Sequence, residues 1–212
     1  MARNKYPEIT ENRILESATR LFFENGWDNT TIQDIIDDLG DLTRGAFYHH
    51  FKSKEDIIDA VLNKISIDDN PFKQVKSLDN LNGLDKIKRA FFLSIENNLQ
   101  IEALKKVPQI VKSPKMVARQ LQLCIEDSAV ELLELIQEGI QDGSLAREYP
   151  KQAAETFVIL TNIYLSPVIF EENECDYKNR IYHLKNMYES IGLKIIDDSI
   201  VIRLQELYKS IN

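Results

Sequence analysis

The chain has 212 residues, of which 43% are hydrophobic, enough to bury the core of one large domain or of two small ones. Its formal net charge of −8 excludes general electrostatic adhesion to nucleic acid or to an anionic membrane, so any such contact must come from a local patch. No apolar run approaches the roughly 18 residues that span a bilayer, so we expect no membrane contact. The two cysteines, Cys124 and Cys175, lack metal-ligand spacing, so we expect them to be free thiols in a cytoplasmic protein.

The first two predicted helices lie near the N-terminus. Glycine and proline are sparse in the whole chain, and apolar residues recur at helical spacing, which predicts an all-α fold. The first helix has Thr10 as its expected N-cap and ends at the Asn25-Gly26 pair. The second begins at TTIQD, where Thr30 and Gln33 have the spacing of a capping box, and it ends near Gly40.

Two further helices follow a tight turn, LGDLT. The third helix is barely two turns long, with Thr43 as its expected N-cap and its end around the His50-Phe51 pair. The fourth opens at Ser53, with Asp56 three residues on. Because two short helices joined by a tight turn cannot bury their own faces, the first and fourth helices must pack on them. These elements predict an N-terminal three-helix head of the helix-turn-helix type, supported by a fourth helix.

A domain boundary is expected where the helical pattern breaks, between residues 66 and 82. It separates a helix-turn-helix domain, residues 1–65, from a larger C-terminal helical domain, residues 66–212. The helical stretches predicted in the larger domain are about 84–104, a short piece between Pro108 and Pro114, 115–141, a helix that begins after Pro150, about 176–191, and 198–211.

The stretch TRGAFYHHFKSKEDI, residues 43–57, places aromatic rings and cations side by side around the third helix. In a helix-turn-helix head, the helix after the turn offers its N-terminal residues to the major groove of DNA. Arg44 lies at that tip, where a guanidinium can bind O6 and N7 of one guanine and contribute about 1–3 kcal/mol of base discrimination. Gly45 and Ala46 are small, which lets the backbone come close to the DNA.

Further side chains of this stretch are candidates for phosphate contacts. Tyr48, next to the apolar Phe47 and turned to another face, can donate its hydroxyl to a phosphate, and His49 can do likewise or touch a base. Lys52 and Lys54 stand where the fourth helix begins, and the free backbone N–H groups there also favour an anion. Together these residues predict one surface that faces DNA phosphates.

Residues 10–65 resemble the DNA-binding head of the TetR family of ligand-responsive transcriptional regulators, through TRGAFYHHFKSKEDI and the preceding FFENGWDNTTIQDI. One departure is GDLT, which is one residue longer than the family's usual GVS and leaves open the angle at which the helix meets DNA. The resemblance implies core positions for Phe47 and Phe51. It also implies phosphate contacts from Thr31, Thr43, Tyr48 and Lys54 and base-edge contacts from Arg44, Gly45 and His49.

For residues 66–212 the resemblance implies a ligand-binding and dimerisation domain with an apolar effector pocket and a two-helix dimer face. We expect the dimer face on residues 153–168 and 176–191. For each pocket candidate, ordinary core packing is the competing interpretation. The pocket candidates are Phe91, Phe92, Ile95, Met116, Gln120, Cys124, Phe157, Thr161 and Tyr164.

The charge of the head itself does not favour DNA. Residues 1–56 carry seven lysines and arginines against eleven aspartates and glutamates, a formal net charge of −4. Because DNA binding rests largely on phosphate neutralisation, we expect modest non-specific affinity and dependence on the few cations at the tip. Two interpretations of Asp37, Asp38 and Asp41, near the turn, stay open: they face away from the duplex, or the protein has given up operator binding.

No catalytic or metal-binding motif is recognisable in the sequence. The adjacent His49 and His50 would point about 100° apart on a helix, so we expect neither an enzyme nor a metal or other cofactor. The overall prediction is a homodimeric, ligand-responsive regulator, a repressor by resemblance, that binds a palindromic double-stranded DNA operator and is released by a small-molecule effector. The alternative is a TetR-fold ligand- or protein-binding coregulator that does not bind DNA itself.

Overall fold

The computed structural model describes residues 7–26, 29–68, 70–106, 108–145, 149–170 and 172–212. Every regular element in these ranges is a helix, which confirms the predicted all-α fold. None of the described helices combines the length and the apolar character that crossing a membrane requires. The chain divides into two compact units: the first contains residues up to Asp68 and the segment 105–107, and the second contains the rest. Trp27 and Asp28 of the FFENGWDNTTIQDI motif lie outside the described residues.

The helices up to Asp68 are α1 (Pro7–Asn25), α2 (Ile32–Leu39), α3 (Arg44–His50) and α4 (Lys54–Asp68). Helix α1 begins three residues before Thr10, so the prediction of Thr10 as its N-cap is wrong. Proline is favoured at the first position of a helix, because its missing N–H would have no partner there. Pro7 therefore starts α1 one turn earlier than the polar Thr10 indicated.

The start of α2 differs from the prediction by one residue. Its N-cap is Thr31, whose hydroxyl accepts a hydrogen bond from Asp34 N (3.1 Å) while the Asp34 carboxylate accepts one from Thr31 N (2.7 Å). Thr30 is buried instead and donates its hydroxyl to the carbonyl oxygen of Gly26 at 2.9 Å. Both threonines are followed three residues later by a side chain that can complete a capping box, so the spacing alone did not distinguish them.

The starts of α3 and α4 agree with the prediction. Thr43 Oγ1 accepts a hydrogen bond from Ala46 N (3.2 Å), and Ser53 Oγ accepts one from Asp56 N (3.1 Å). All four helices contribute buried apolar residues, and Phe47 and Phe51, to which the resemblance assigned core positions, are among the buried residues of this unit. The buried apolar residues are Ile14, Leu15, Ala18, Leu21, Phe22, Ile35, Ile36, Phe47, Phe51, Ile57, Ile58 and Val61.

After Asp68 follow α5 (Pro71–Val75), α6 (Gly83–Ile95), α7 (Asn98–Lys106), α8 (Pro108–Val111), α9 (Pro114–Leu123), α10 (Ala129–Gln141), α11 (Pro150–Ile159), α12 (Glu174–Ser190) and α13 (Asp198–Ile211). The single helix predicted over residues 84–104 is wrong. Asn97 Oδ1 accepts a hydrogen bond from Gln100 N (3.0 Å), and this cap ends the continuity between α6 and α7.

The segment 66–82, predicted to interrupt the helical pattern, is partly helical. Helix α4 continues to Asp68, and α5 begins at Pro71 with Asn70 as its N-cap. The Asn70 side chain accepts a hydrogen bond from Phe72 N (3.0 Å). The DDNPF sequence, taken as a breaker, therefore ends one helix and starts another, because an N-cap followed by proline favours a helix start.

Two turns of π-helix are present within the described long helices. Cys124–Ser128 joins α9 to α10, so the helix predicted over residues 115–141 is one path with a π-helical turn inside it, and Leu160–Tyr164 extends α11. A π-helical turn disturbs the regular backbone hydrogen bonds. The carbonyl oxygen of Val158 compensates by accepting hydrogen bonds from Asn162 Nδ2 (2.9 Å) and Cys124 Sγ (3.5 Å).

Helices α6 and α10 approach each other closely at Gly83 and Gly139. A Cβ atom on Gly83 would lie 2.2 Å from Gly139 N and 2.4 Å from Gly139 Cα. Gly83 N also donates to the Asp142 carboxylate (2.7 Å), and Leu84 N donates to Ser144 Oγ (3.2 Å). The start of α6 is therefore fixed against the end of α10 and the turn that follows it.

Candidate nucleic-acid interface

Helix α3 is a seven-residue helix, RGAFYHH, with Phe47 as its buried side chain. The Phe47 ring lies 6.4 Å from the Phe51 ring, and Phe51 N–H donates to the Phe47 carbonyl oxygen at 3.1 Å, which ends the helix. Tyr48 is 41% exposed, and its ring meets that of Phe47 edge to face at 5.7 Å. One buried ring thus anchors the helix while the neighbouring side chains stay at the surface.

The predicted DNA-contact residues lie at the starts of α2 and α3 and around the start of α4. Lys54, the first residue of α4, is half-buried. The others are exposed: Thr31, Thr43, Arg44, Gly45, Tyr48, His49 and Lys52. Neither Arg44 nor Lys52 forms an ion pair with a residue that the structure describes. Both cations can therefore bind an external anion.

Gly45 has no neighbour within the protein that requires a glycine. A Cβ atom placed on Gly45 meets nothing within 4 Å, and its φ is not positive. Gly40, in the turn before α3, differs, because its φ of +69° lies in the left-handed region that favours glycine. Glycine within a helix costs about 0.5–1 kcal/mol relative to alanine. The packing of the head does not explain Gly45, whereas close approach of an outside molecule would.

Thr31, predicted to contact a phosphate, is engaged with Asp34. Its N–H and its hydroxyl both donate to Asp34 Oδ2, at 2.7 and 2.8 Å. These hydrogen bonds, the backbone one first, hold the pKa of Asp34 below its usual value. A phosphate diester accepts hydrogen bonds and cannot donate them, so Thr31 can bind one only by releasing the Asp34 carboxylate.

Two acidic residues near the turn are bonded to helix α1. Arg13 donates two hydrogen bonds to the Asp41 carboxylate, at 3.0 and 2.7 Å, and thereby lowers the pKa of Asp41. Asp38 accepts a hydrogen bond from Ser17 Oγ (2.6 Å) and pairs with Arg20, and both contacts lower its pKa. These pairs were not predicted from the sequence. The available signal was the spacing of Arg13, Ser17 and Arg20, which puts all three on one face of α1.

Four of the nine effector-pocket candidates are buried in the core of the second unit. The Phe91 and Phe157 rings pack edge to face at 5.3 Å, and Ile95 and Cys124 are also buried. Burial raises the pKa of the Cys124 thiol to about 11, so the side chain is neutral at physiological pH. The structure thus brings these apolar candidates into one core.

Two further candidates are Gln120, which precedes the first π-helical turn, and Thr161, which lies in the second. Gln120 Nε2 donates to Asn162 Oδ1 at 3.2 Å and lies 3.9 Å from Cys124 Sγ. Thr161 donates its hydroxyl to the Phe157 carbonyl oxygen at 2.7 Å. Asn162 was not among the candidates, although it pairs with one of them, because nothing in the sequence relates it to a residue 42 positions away.

The remaining pocket candidates have other neighbours. The Tyr164 ring lies 4.9 Å from the guanidinium carbon of Arg180, and the Phe92 ring lies 5.9 Å from that of Arg89. Met116 is half-buried on α9. The nine candidates therefore do not share one set of contacts.

The two segments expected to form a dimer face use their apolar residues within the second unit. Their buried residues are Ala153, Ala154, Phe157, Val158, Leu165, Ser166 and Pro167 in the first segment and Tyr177, Ile181, Leu184 and Tyr188 in the second. On α12, Tyr182 is 40% exposed, and polar side chains such as Lys178 and Asn186 are exposed beside it. A dimer face on this helix would combine one aromatic ring with polar groups.

Residues 14–61 match the family described as bacterial regulatory proteins, tetR family. The chain is 33% identical over 106 residues to the probable HTH-type transcriptional regulator ArpR of Pseudomonas putida, and the match covers 49% of this chain and 50% of ArpR. It is 32% identical over 106 residues to the HTH-type transcriptional regulator TtgR, also of Pseudomonas putida, again with 49% and 50% covered. The chain thus spans about half the length of these curated relatives.

The fold of the chain is shared with solved structures. A TetR-family transcriptional regulator from Pectobacterium atrosepticum superposes with a TM-score of 0.65 at 20% identity, covering 91% of this chain and 98% of that one. At this identity the likeness shows the fold alone. The family matched by the head consists of DNA-binding transcriptional regulators and not of enzymes. The family match and the curated relatives agree on the head: residues 14–61 belong to the TetR family of bacterial regulatory proteins.

Proposed function

We propose that this protein regulates transcription by binding a DNA operator with α3 in the major groove. The observation that carries the proposal is the outer surface of α3. Phe47 anchors the helix from behind, Arg44 and Tyr48 are exposed, and open space lies in front of Gly45. A short helix that is anchored by the buried Phe47 ring and exposed at its first residues can insert into the major groove, where those residues contact base edges.

Each exposed residue at the tip has a proposed role. Arg44 binds O6 and N7 of a guanine, Gly45 lets the backbone approach the bases, and His49 contacts a base edge. Thr43 and Tyr48 donate hydroxyl groups to phosphates. These roles follow the chemistry of each side chain and its exposure.

The cations beside α3 supply the phosphate contacts that depend on charge. Lys52 precedes α4 and Lys54 is its first residue, and both can neutralise DNA phosphates there. We expect Thr31 to contribute less than Tyr48, because its hydroxyl would first have to leave Asp34. The phosphate surface thus depends mainly on the residues around α3 and the start of α4.

The proposal extends to a homodimer on a palindromic operator, because two identical heads related by two-fold symmetry require half-sites related by the same symmetry. A small molecule bound in the second unit would release the operator by preferring the conformation that does not bind DNA. Repression is inferred from the family, and a cytoplasmic location follows from action on an operator.

The effector expected for such a pocket is neutral and largely apolar. The nine candidate residues are aromatic, aliphatic, amide, hydroxyl, thioether and thiol side chains, and the Cys124 thiol has a raised pKa. A charged ligand would need a partner charge when removed from water, and none of the four buried candidates, Phe91, Ile95, Cys124 and Phe157, provides one. Amide groups such as that of Gln120 can still orient a polar substituent.

Selection of bound fragments from genomic DNA by the full-length protein, at two salt concentrations, tests the proposal. We expect a shared palindromic sequence bound by a dimer. Arg44→Ala should weaken binding to that sequence by about 1–3 kcal/mol per half-site, with relaxed preference at the contacted guanine. Affinity would be measured by fluorescence anisotropy on a labelled duplex.

Lys194→Ala is the matched control, because it removes a positive charge from an exposed position of the second unit. It should leave operator affinity unchanged. If the wild-type protein showed no preference for any duplex at low salt, the operator proposal would fail and a coregulator that does not bind DNA would be favoured. A thermal-shift screen of neutral apolar compounds, followed by release from the selected duplex, tests the effector step separately.

A further inference from the structure

Three residues on one face of α1 reach toward the end of α2 and the turn after it. Arg13 holds both oxygens of the Asp41 carboxylate, at 3.0 and 2.7 Å, in the fork geometry that makes arginine–carboxylate pairs specific. One and two turns further along α1, Ser17 and Arg20 both bind Asp38. Each of the two arginines of α1 thus binds an acidic residue of the helix-turn-helix element, and Arg20 also contacts Glu24 of its own helix at 3.1 Å.

We propose that Asp38 and Asp41 are specificity-determining residues, which withhold Arg20 and Arg13 from DNA phosphates and so suppress non-specific binding. The inference rests on the proposed operator binding. A guanidinium already paired with a carboxylate must leave that partner to bind a phosphate, and the carboxylate would then stand unpaired beside a polyanion. The exchange therefore yields little attraction to DNA.

The consequence lies in how affinity divides between sequence-independent and sequence-dependent contacts. Non-specific affinity comes from phosphate neutralisation, and log K falls with log salt with a slope of about −0.9 for each phosphate neutralised. With Arg13 and Arg20 occupied, the charge-dependent contacts fall to the cations around α3, such as Arg44 and Lys52. Base contacts are untouched, so the ratio of specific to non-specific affinity rises.

This inference assigns a role to two of the eleven acidic residues in residues 1–56, a segment whose formal net charge is −4. A net negative charge by itself opposes binding to the DNA polyanion. The Asp41 carboxylate lies 2.7 and 3.0 Å from the Arg13 guanidinium, so its main effect is to occupy that one cation. The pairing lowers the non-specific affinity of the head for DNA, while the exposed residues at the start of α3 remain available for base contacts.

Salt dependence of binding measures this division directly. Full-length wild type, Arg13→Gln/Arg20→Gln and Lys52→Gln would be titrated against the selected operator and an unrelated duplex of equal length, from about 50 to 200 mM salt. The double arginine variant should keep the wild-type slope. Lys52→Gln should reduce it by about 0.9 per head. Equal reductions would show that the α1 arginines already contact phosphates and would overturn the inference.

A second pair of variants removes one negative charge from adjacent residues of α2. Asp38→Asn removes the α2 partner of Arg20 and leaves Arg20 with its exposed contact to Glu24 of α1 (3.1 Å). Asp37→Asn removes no partner of an arginine, because Asp37 accepts its hydrogen bond from Gln33 Nε2 (2.7 Å). We expect Asp38→Asn to raise affinity for the unrelated duplex about 3- to 10-fold more than Asp37→Asn, with a steeper salt slope. Operator preference should fall correspondingly.

The outcomes separate the two proposals. Equal effects of Asp37→Asn and Asp38→Asn, with wild-type operator binding intact, would mean that total charge alone acts and would overturn the inference only. Absence of wild-type binding to every duplex would overturn the operator proposal and the inference with it. Circular dichroism of each variant confirms that the compared proteins are folded.

Discussion

Two glycines, Gly45 in the first unit and Gly83 in the second, lie in the first turn of a helix for opposite reasons. Open space surrounds Gly45, whereas a side chain on Gly83 would overlap the backbone of Gly139. Gly83 is explained by the packing of its own unit. Gly45 is not explained by the packing of the head, and the proposed operator binding assigns its small size to the close approach of DNA.

The ends of the same two helices differ in the same way. At the start of α6, Asn82, Asp142 and Ser144 accept hydrogen bonds from successive backbone N–H groups. At the start of α3, Thr43 is the cap found among the described residues, and it accepts from Ala46 N. The second unit closes its helix end on itself, while the head leaves its tip accessible.

The largest effect is expected from Gly83→Ala. Its Cβ would lie 2.2 Å from Gly139 N and 2.8 Å from the Leu135 carbonyl oxygen, so the backbones of α6 and α10 must separate. We expect a loss of about 3 kcal/mol or more in the free energy of unfolding of the second unit, at the upper end of overpacking costs. Urea denaturation followed by circular dichroism measures it.

Gly139→Ala is the matched control. Its Cβ would meet Leu145 Cδ1 at 2.8 Å and Ser144 Oγ at 3.1 Å, which belong to side chains that can shift. The loss should be smaller than for Gly83→Ala. Equal losses from the two variants would contradict the interpretation of Gly83 as the point of backbone contact.

Features set by neighbours along the chain could be predicted from the sequence. Thr43 as a cap, Ser53 before α4 and the helices 176–191 and 198–211 depend on residues within a turn or two, and the structure places them close to the prediction. Thr30 and Thr31 show the limit of local spacing. Both fit a capping box, and the burial of Thr30 against α1 decides between them.

Features set by distant residues could not be predicted in this way. Asp41 and Arg13 are 28 positions apart, and only folding brings the acid to the arginine. The interruption at Asn97 was missed for another reason: apolar residues keep the helical period across it, and that signal outweighed a single capping side chain. The exposed start of α3 could be predicted because the cations and aromatic residues that mark it follow one another in the sequence, within residues 43–57.

Gly45→Ala tests the glycine of the first unit, and we expect it to change stability and operator affinity by less than Gly83→Ala changes stability. Because nothing lies within 4 Å of the added Cβ, the fold should tolerate it, and the better helix propensity of alanine should stabilise the head by about 0.5–1 kcal/mol. Operator affinity should fall about tenfold, or about 1.4 kcal/mol, because the methyl group holds the backbone away from the bases. Thermal melting and anisotropy would be measured on the same sample.

The opposite signs of the two effects make Gly45→Ala informative. A variant that melts higher and binds the operator more weakly supports an outside partner at this position. A variant that binds the operator like wild type would remove Gly45 from the proposed interface. Destabilisation of the head would mean that Gly45 serves the fold, as Gly83 does.

The smallest effect is the pH dependence of two carboxylates, Glu172 in the second unit and Asp41 in the first. Burial raises the pKa of Glu172 above its usual 4.5, against the opposing effect of Arg180 at 2.6 Å. The hydrogen bonds from Arg13 lower the pKa of Asp41 below 3.8. A raised pKa contributes stability that is present below pH 4.5 and is lost as the pH rises through the folded-state pKa.

Stability of the second unit should therefore decrease as the pH rises above 4.5, and Glu172→Gln, neutral at every pH, should flatten that decrease. Asp41 has the opposite sign: its contribution is present above pH 3.8 and is lost as the pH falls through the lower folded-state pKa. Asp41→Asn should reduce only the loss of stability that occurs as the pH falls below 3.8. Urea unfolding of both variants across the acid range measures how the free energy of unfolding depends on pH. If both variants reduced the pH dependence in the same pH range, the assignment of opposite pKa shifts to Glu172 and Asp41 would be contradicted.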